Sequence, residues 1–392
     1  MKRILIVTPT LQSGGGVIRG LQNMLALLPV DKFKISVLPM GFSDSNNVEL
    51  TNCKLLPDNF YLTAVTSIFK ETKGYNKRIK LRIAKGVLSI LSLFNKRIYF
   101  ENCLFKHAAK NFGGYDVVIA YQEGLCTRFV QYISASYKIA WIHCDYSEYR
   151  KVYLRDELSI YEQYQRIVCV SKYTLQNFRK IYPELKEQSL YIHNLLDSCF
   201  ISQKSTETII EKFDKRIGFV NLISIGRLHP VKQFHLIPQL ISQMLKLGAC
   251  NFHWRLIGGD ESSIEYDKLQ NELKRLNIDE TYFSFLGSRY NPYPYIKNSD
   301  LLISTSLSEA CPFVVNEARI LGTPVVSNNY PSISEFVVDG VNGKICTLDE
   351  MAKVLAELII NTSALANLKE VMQNDHYDND KIIKEIIEML EI

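Results

Sequence analysis

Short runs of β-branched and apolar residues alternate along this chain with stretches in which apolar positions recur every three or four residues, from one end to the other. This alternation predicts parallel sheets built from βαβ units, because parallel neighbours need a crossover and that crossover is usually a helix. In the first half the pattern predicts strands at 4–8, 34–39, 117–121, 139–143, 167–170 and 190–193. Ser171 is the predicted N-cap of a helix that carries Leu175 and Phe178 and stops before Pro183.

The pattern restarts in the second half, with strands at 222–225, 253–257, 283–286, 301–305 and 324–327 and helices at 233–247, 266–276 and 313–321. Between the halves, residues 197–216 are polar and weakly periodic. The expected division is an N-terminal domain over 1–199, a hinge over 200–216, a C-terminal domain over 217–375, and a terminal segment 376–392 whose helix packs back on the first domain. The fold class is α/β, with two doubly wound parallel sheets facing each other across a cleft. In such sheets ligands meet the loops at the carboxyl ends of the strands.

Composition agrees. A chain of 392 residues exceeds what one core usually serves, and 47% hydrophobic with 22% charged residues is the balance of a folded, soluble protein. Nine cysteines stand singly with no C-x-x-C pair, which argues against a disulfide framework or a zinc site and for reduced thiols in a cytoplasmic protein. The N-terminal apolar run breaks at Thr8-Pro9-Thr10, so it reads as a first strand and not as a leader. No stretch reaches the roughly 20 apolar residues of a spanning helix.

The net charge of +5 gives no reason to expect nucleic acid. Its distribution is uneven, however: residues 70–97 carry nine Lys and Arg against the single acid Glu71, interleaved with Ile79, Leu81, Ile83 and Val87. This pattern fits basic helices with an apolar side, suited to an anionic membrane surface and equally to an ordinary solvated face.

Three loops after strands carry candidate chemistry. Ser13-Gly14-Gly15-Gly16 follows the first strand, where consecutive glycines let backbone amides approach an anion or simply make a tight turn. Gly226-Arg227-Leu228-His229-Pro230-Val231-Lys232 follows the strand at 222–225. Arg227 offers a planar fork to phosphate oxygens and Lys232, expected at a helix start, a point charge; in isolation both also read as solvent-facing.

The third loop, Ser306 to Phe313, holds Glu309, Ala310, Cys311 and Pro312 and leads into a helix that carries Glu317. Pro312 suits the first helical position, and the backbone from Ala310 to Phe313 is placed to receive phosphate. Continuous helical rise would separate Glu309 and Glu317 by roughly 12 Å, too far for an acid/base couple at about 5 to 9.5 Å. His143 ends the strand at 139–143, where its imidazole is expected to point into the cleft; a structural role fits the position as well.

Taken together these residues resemble the retaining glycosyltransferases of family 4, along nearly the whole chain. The carrying motifs are S-G-G-G at 13–16, W-I-H at 141–143, I-x-N-x-x-D at 192–197, G-R-L-x-x-x-K at 226–232, E-x7-E from Glu309 to Glu317, G-T-P-V-V at 322–326 and E-F-V-x-D-G-x-N-G at 335–343. Ala310-Cys311 departs from the Gly-Phe that many members place before the proline.

The resemblance implies a GT-B fold of two Rossmann-like domains and transfer of a sugar from a nucleoside diphosphate sugar, a UDP-sugar first among donors. It implies a catalytic set of Glu309, His143, Arg227 and Lys232. Donor contacts would come from Gly15, Gly16, Arg227, Lys232, Glu309, Ala310, Cys311, Pro312, Phe313 and Glu317, with Glu317 on the nucleotide ribose. No metal or other cofactor is implied, since positive side chains replace the cation and none of the three candidate loops carries a D-x-D motif of the kind that chelates a divalent ion in other transferases. The expected acceptor is a lipid-linked cell-envelope glycan, met by a cytoplasmic or peripheral enzyme on the inner face of the plasma membrane. Rival readings are a sugar-nucleotide epimerase or hydrolase on the same fold, a non-catalytic sugar-nucleotide binder, and a dinucleotide oxidoreductase, for which the first glycine loop lacks the fingerprint.

Overall fold

The computed structural model describes the chain except residues 12–14, 42–48, 67–83, 85, 88, 91–95, 154–155, 212, 373–376 and 392. Most of the basic segment 70–97, and Ser13 and Gly14 of the first glycine loop, therefore lie outside the described residues. The chain forms two compact units, Met1–Leu195 together with Asn379–Ile392, and Leu196–Asp378.

Among the described residues the first unit is built on seven strands: β1 (Lys2–Thr8), β2 (Phe33–Pro39), β3 (Cys53–Leu55), β4 (Tyr115–Ala120), β5 (Ala135–Ile142), β6 (Arg166–Cys169) and β7 (Ser189–Tyr191). Their order in the sheet is β3-β2-β1-β4-β5-β6-β7, and every pairing is parallel. The central strand β1 pairs Ile4 with Ile35 on one side and with Val117 on the other. Ile4 to Val7 are all buried, as expected of a strand covered on both faces.

The second unit holds β8 (Val220–Ile225), β9 (Phe252–Ile257), β10 (Phe283–Gly287), β11 (Leu301–Ser304), β12 (Val325–Asn328) and β13 (Gly343–Cys346), in the order β10-β9-β8-β11-β12-β13. All of its pairings are parallel as well. In each unit the direction of strand progression reverses once, between β1 and β4 and between β8 and β11. Loops leaving those neighbouring strands diverge and open the crevice in which such sheets bind ligands.

Local signals explain several helices. Ser171 caps the helix Lys172–Ile181 in a reciprocal capping box with Thr174, and Arg179 and Lys180 sit in its last turn, where the helix dipole favours cations. Leu175 and Phe178 bury the face predicted for them. The helices Leu348–Ile360 and Thr362–Met372, bent by 94° at their junction, bury Met351, Leu355, Leu365 and Leu368 in the second unit's own core. Among the described residues no single helix is long and apolar enough to cross a membrane.

Three expectations shift. The division falls between Leu195 and Leu196, so the stretch 200–216 belongs to the second unit. Its contacts account for this: Asn291 donates to the Lys204 carbonyl at 2.8 Å, and Glu211 pairs with Arg289 and accepts from Tyr295 at 2.6 Å. Second, residues 233–247 are not one helix. Two 3-10 turns, Pro230–Lys232 and Phe234–Leu236, precede the helix Ile237–Lys246, because Gln233 between them takes a left-handed φ of 54°. Lys232 thus closes a tight turn and does not open a helix. Third, Pro312 is the N-cap of the helix Phe313–Leu321, one position before its first residue.

The buried Trp254 joins three strands of the second sheet: its indole N–H donates to Ser224 Oγ at 3.1 Å, and Ser224 Oγ donates to the Ile303 carbonyl at 2.8 Å. Ser224→Ala strands that N–H without its acceptor, so the unfolding midpoint is expected to fall by the equivalent of about 1–3 kcal/mol. Denaturant unfolding followed by tryptophan fluorescence measures it; an unchanged midpoint would contradict the role given to Ser224.

Candidate functional site

In the second unit, the loops after β8 and β11 meet because these strands are neighbours. Thr305 Oγ1 donates to the Lys232 carbonyl at 2.6 Å and the Leu307 amide donates to the Val231 carbonyl at 2.8 Å. This brings the Lys232 ammonium onto Glu309 Oε1, and both side chains keep less than a fifth of their exposure, 18 and 19%. The same carboxylate oxygen accepts from Ser306 Oγ at 2.8 Å, while Ser332 Oγ donates to the Glu309 carbonyl at 2.6 Å. Asn328 Nδ2 in turn holds the Ser306 carbonyl at 2.8 Å.

The glycines of this region have a steric task. A Cβ on Gly226 would stand 3.3 Å from Lys232 Cε, so the lysine stem runs close over this backbone. Gly258, at φ 114°, packs so tightly that a Cβ there would meet the Gly226 carbonyl oxygen at 2.2 Å. Arg227 is exposed at the edge of the same loop, leaving its guanidinium available to solvent-borne anions. His229 Nδ1 accepts the Val231 amide at 3.2 Å and so shapes the turn that ends at Lys232.

No side chain caps the first turn of the helix Phe313–Leu321, although Pro312 precedes it. The helix start thus lacks a cap from its N-cap residue, and a helix N-terminus favours an anion. Cys311 and Pro312 are buried, Ala310 and Phe313 half-buried. Glu317 lies on the inner side of that helix, fully buried, and accepts from the Tyr293 hydroxyl at 3.4 Å. The loop thus presents two carboxylates in unlike settings, Glu309 beside a cation and Glu317 in the interior.

The remaining candidates belong to the first unit. Gly15 is the N-cap of the helix Gly16–Leu27, in extended conformation, with open space where a Cβ would stand and no side-chain cap. His143 follows β5, its ring 4.8 Å from that of Tyr121, and its Nε2 is buried without a hydrogen-bond partner among the described residues. Burial pushes its pKa down to about 3, against a hydrogen bond with the Tyr121 backbone that pulls upward. The imidazole is accordingly neutral at physiological pH.

Sequence reasoning missed the groups that hold these residues. Glu123, buried after β4, accepts the His143 amide at 2.9 Å, and burial raises its carboxyl. Asp145 caps the helix Tyr146–Val152 and also accepts from Tyr173 and Asn177; burial alone would raise its carboxyl, but these hydrogen bonds and that from Ser147 hold it below the usual range. Ser306 left a faint signal, a serine three residues before a glutamate.

Residues 205–377 match the model of the family "Glycosyl transferases group 1". Two curated proteins of Methanocaldococcus jannaschii and Klebsiella pneumoniae are similar in sequence. The first, described as an uncharacterized glycosyltransferase, is 26% identical, the match covering 52% of this chain and 58% of that protein. The second, an uncharacterized protein in the cps region, is 24% identical over 38% of this chain and 39% of that protein. The chain thus spans about half the length of the curated relatives it matches.

Over full length the fold is that of solved GT-B structures. Anabaena HepE in complex with UDP superposes with a TM-score of 0.71 at 17% identity, covering 100% of both chains. A variant of S. aureus TarM, in complex with fondaparinux, α-GlcNAc-glycerol and UDP, gives 0.71 at 12% identity, covering 99% of each. HepE has also been solved with UDP-glucose.

Two outcomes follow from the geometry. Gly258→Ala combines a left-handed backbone with a clash against Gly226, and is expected to destabilise the second unit by about 1–3 kcal/mol, read as a lowered thermal midpoint. An unfolded imidazole titrates near about 6.5, whereas that of His143 titrates at about 3. Between these values the unfolded chain binds the extra proton, so the His143 contribution to stability is intact above the higher value and is lost as pH falls toward the lower. Unfolding free energies at pH 7 and 5 should therefore differ less in His143→Phe than in wild type; an equal difference would refute the buried neutral imidazole.

Proposed function

We propose that this chain is a retaining, metal-independent glycosyltransferase of family 4 that moves a sugar from a nucleoside diphosphate sugar to a lipid-linked cell-envelope glycan. The observation that carries the reading is the Lys232–Glu309–Ser306 cluster. It lies beside exposed Arg227 and the uncapped helix Phe313–Leu321, within the stretch that matches the group 1 glycosyl transferase model. The HepE and TarM complexes with UDP favour a uridine donor.

On this reading Arg227 and Lys232 grip the diphosphate, the amides around Phe313 add to that grip, and Glu317 meets the nucleotide ribose. Glu309 meets hydroxyls of the sugar. Gly15 and Gly16 of the first unit add donor contacts, His143 belongs to the catalytic set, and the first unit also carries acceptor recognition. In the reaction the bond from the anomeric carbon to the diphosphate breaks, and the acceptor oxygen bonds the same face of that carbon. The acceptor proton passes to the leaving phosphate. No protein nucleophile is needed, and the positive side chains stabilise the departing charge in place of a metal ion.

A ligand at about 100 times its dissociation constant stabilises a fold by roughly 2.7 kcal/mol. Thermal unfolding with UDP, GDP, ADP and CDP in EDTA is therefore expected to show an upward shift with one nucleotide, UDP first, that disappears in Lys232→Ala and Glu317→Ala. No shift with any of them, or one that requires magnesium and survives both substitutions, would sink the proposal. For the basic segment 70–97 the expected outcome is cosedimentation with anionic vesicles that weakens as salt rises. Equal partition to neutral and anionic vesicles would remove the membrane role without touching the transfer reaction.

A further inference from the structure

We infer that Glu309 makes the donor site select an intact sugar nucleotide over the bare nucleoside diphosphate left after transfer, by holding Lys232 whenever no sugar engages its carboxylate. The inference rests on the reading above, in which Lys232 meets the diphosphate and Glu309 the sugar.

The two partners are anchored unequally. The Glu309 carboxylate oxygen is fixed by Ser306 Oγ at 2.8 Å and its backbone carbonyl by Ser332 Oγ at 2.6 Å, both independent of Lys232. Lys232 is the tip of a flexible stem whose Cε passes over Gly226, where the absent Cβ leaves room for it. When an anion competes for the ammonium, it is the lysine that swings and the carboxylate that stays. The exchange matters energetically because the pair is largely withdrawn from water, at 18 and 19% exposure. A charge left there without a partner is costly.

The two ligands leave Glu309 in different states. An intact sugar nucleotide offers phosphate oxygens to Lys232 and hydroxyl donors to Glu309, so the hydrogen bond that the ammonium gave up is replaced. A bare diphosphate offers the carboxylate no donor and brings more negative charge beside it, because the terminal phosphate is no longer esterified. The fixed carboxylate therefore opposes the product more than the substrate, which favours product release after each transfer.

The test is calorimetric titration of the full chain with whichever of UDP, GDP, ADP or CDP stabilises the wild type, and with the glucose derivative of the same nucleotide. Glu309→Gln keeps the shape and removes the charge. It is expected to tighten the diphosphate on the order of two- to fivefold, the range for loss of one ion pair that is not fully buried. The sugar nucleotide should gain less, so the ratio of the two affinities shifts toward the product. In a Lys232→Met background the same change should bring a smaller gain, since only the repulsion between carboxylate and diphosphate is then relieved, and a double-mutant cycle reads the difference directly. Glu309→Ala gives the same direction of change should the amide variant misfold. An unchanged ratio, or a diphosphate weakened as much as the sugar nucleotide, overturns the inference while leaving the donor site standing. A wild type that binds none of the four overturns the donor site itself.

Discussion

Every hydrogen-bonded strand pair in both sheets is parallel, and a parallel pair cannot be closed by a hairpin. Each strand must be followed by a crossover that returns the chain to the end of the sheet from which the strand started. All carboxyl ends in a sheet then emerge on one side, and residues distant in sequence become loop neighbours wherever their strands pair. Lys232 and Glu309 are 77 positions apart, yet they touch because β8 hydrogen-bonds β11. Glu123 and His143, 20 positions apart, meet because β4 hydrogen-bonds β5. The sites are consequences of strand order before they are consequences of side-chain chemistry.

Strand order brings loops together, but backbone shape decides how closely. The β8 loop approaches the β9 loop to a distance that admits no side chain at Gly258, and the edge strand β13 approaches β12 in the same way at Gly343, where a Cβ would meet the Val325 carbonyl at 2.2 Å. Glycine here is a packing requirement, and at Gly258 a conformational one too, since its φ of 114° is outside the range other residues adopt easily. The turn at Gln233 does the opposite work: a left-handed residue that is not glycine interrupts the helical path and leaves Lys232 at the end of a short turn aimed at Glu309.

The long central strands were legible in the sequence because burial on both faces writes them as unbroken apolar runs, as in Ile4 to Val7. Of the edge strands, β7 and β10 were read and β3 and β13 were not. Cys53-Lys54-Leu55 and Gly343-Lys344-Ile345-Cys346 carry too few apolar positions to stand out, and they exist because a neighbouring strand offers its unpaired edge. The break at Gln233 was hidden for a related reason, since nothing in the residue type demands a positive φ. Charged candidates could be picked from residue type and strand-end position. Ser306, Ser332 and Asn328 could not, because small polar residues are common in loops and their partners only appear once β11 and β12 are side by side.

The exposure of the Lys232–Glu309 pair, near a fifth for each side chain, is itself informative. A fully buried pair would be strongly held, and prying it open would cost several kcal/mol by the ordinary desolvation of two ions, about 3–5 when one partner is lost. A fully exposed pair would contribute little, about 0–1, and would not discriminate between ligands. A cation that has to change partners during a reaction cycle is best kept between these limits, dry enough for its partner to matter and wet enough to leave. Ser306 serves that compromise by fixing the carboxylate through a neutral hydroxyl group, which orients it without cancelling its charge, while Ser332 holds the Glu309 backbone carbonyl.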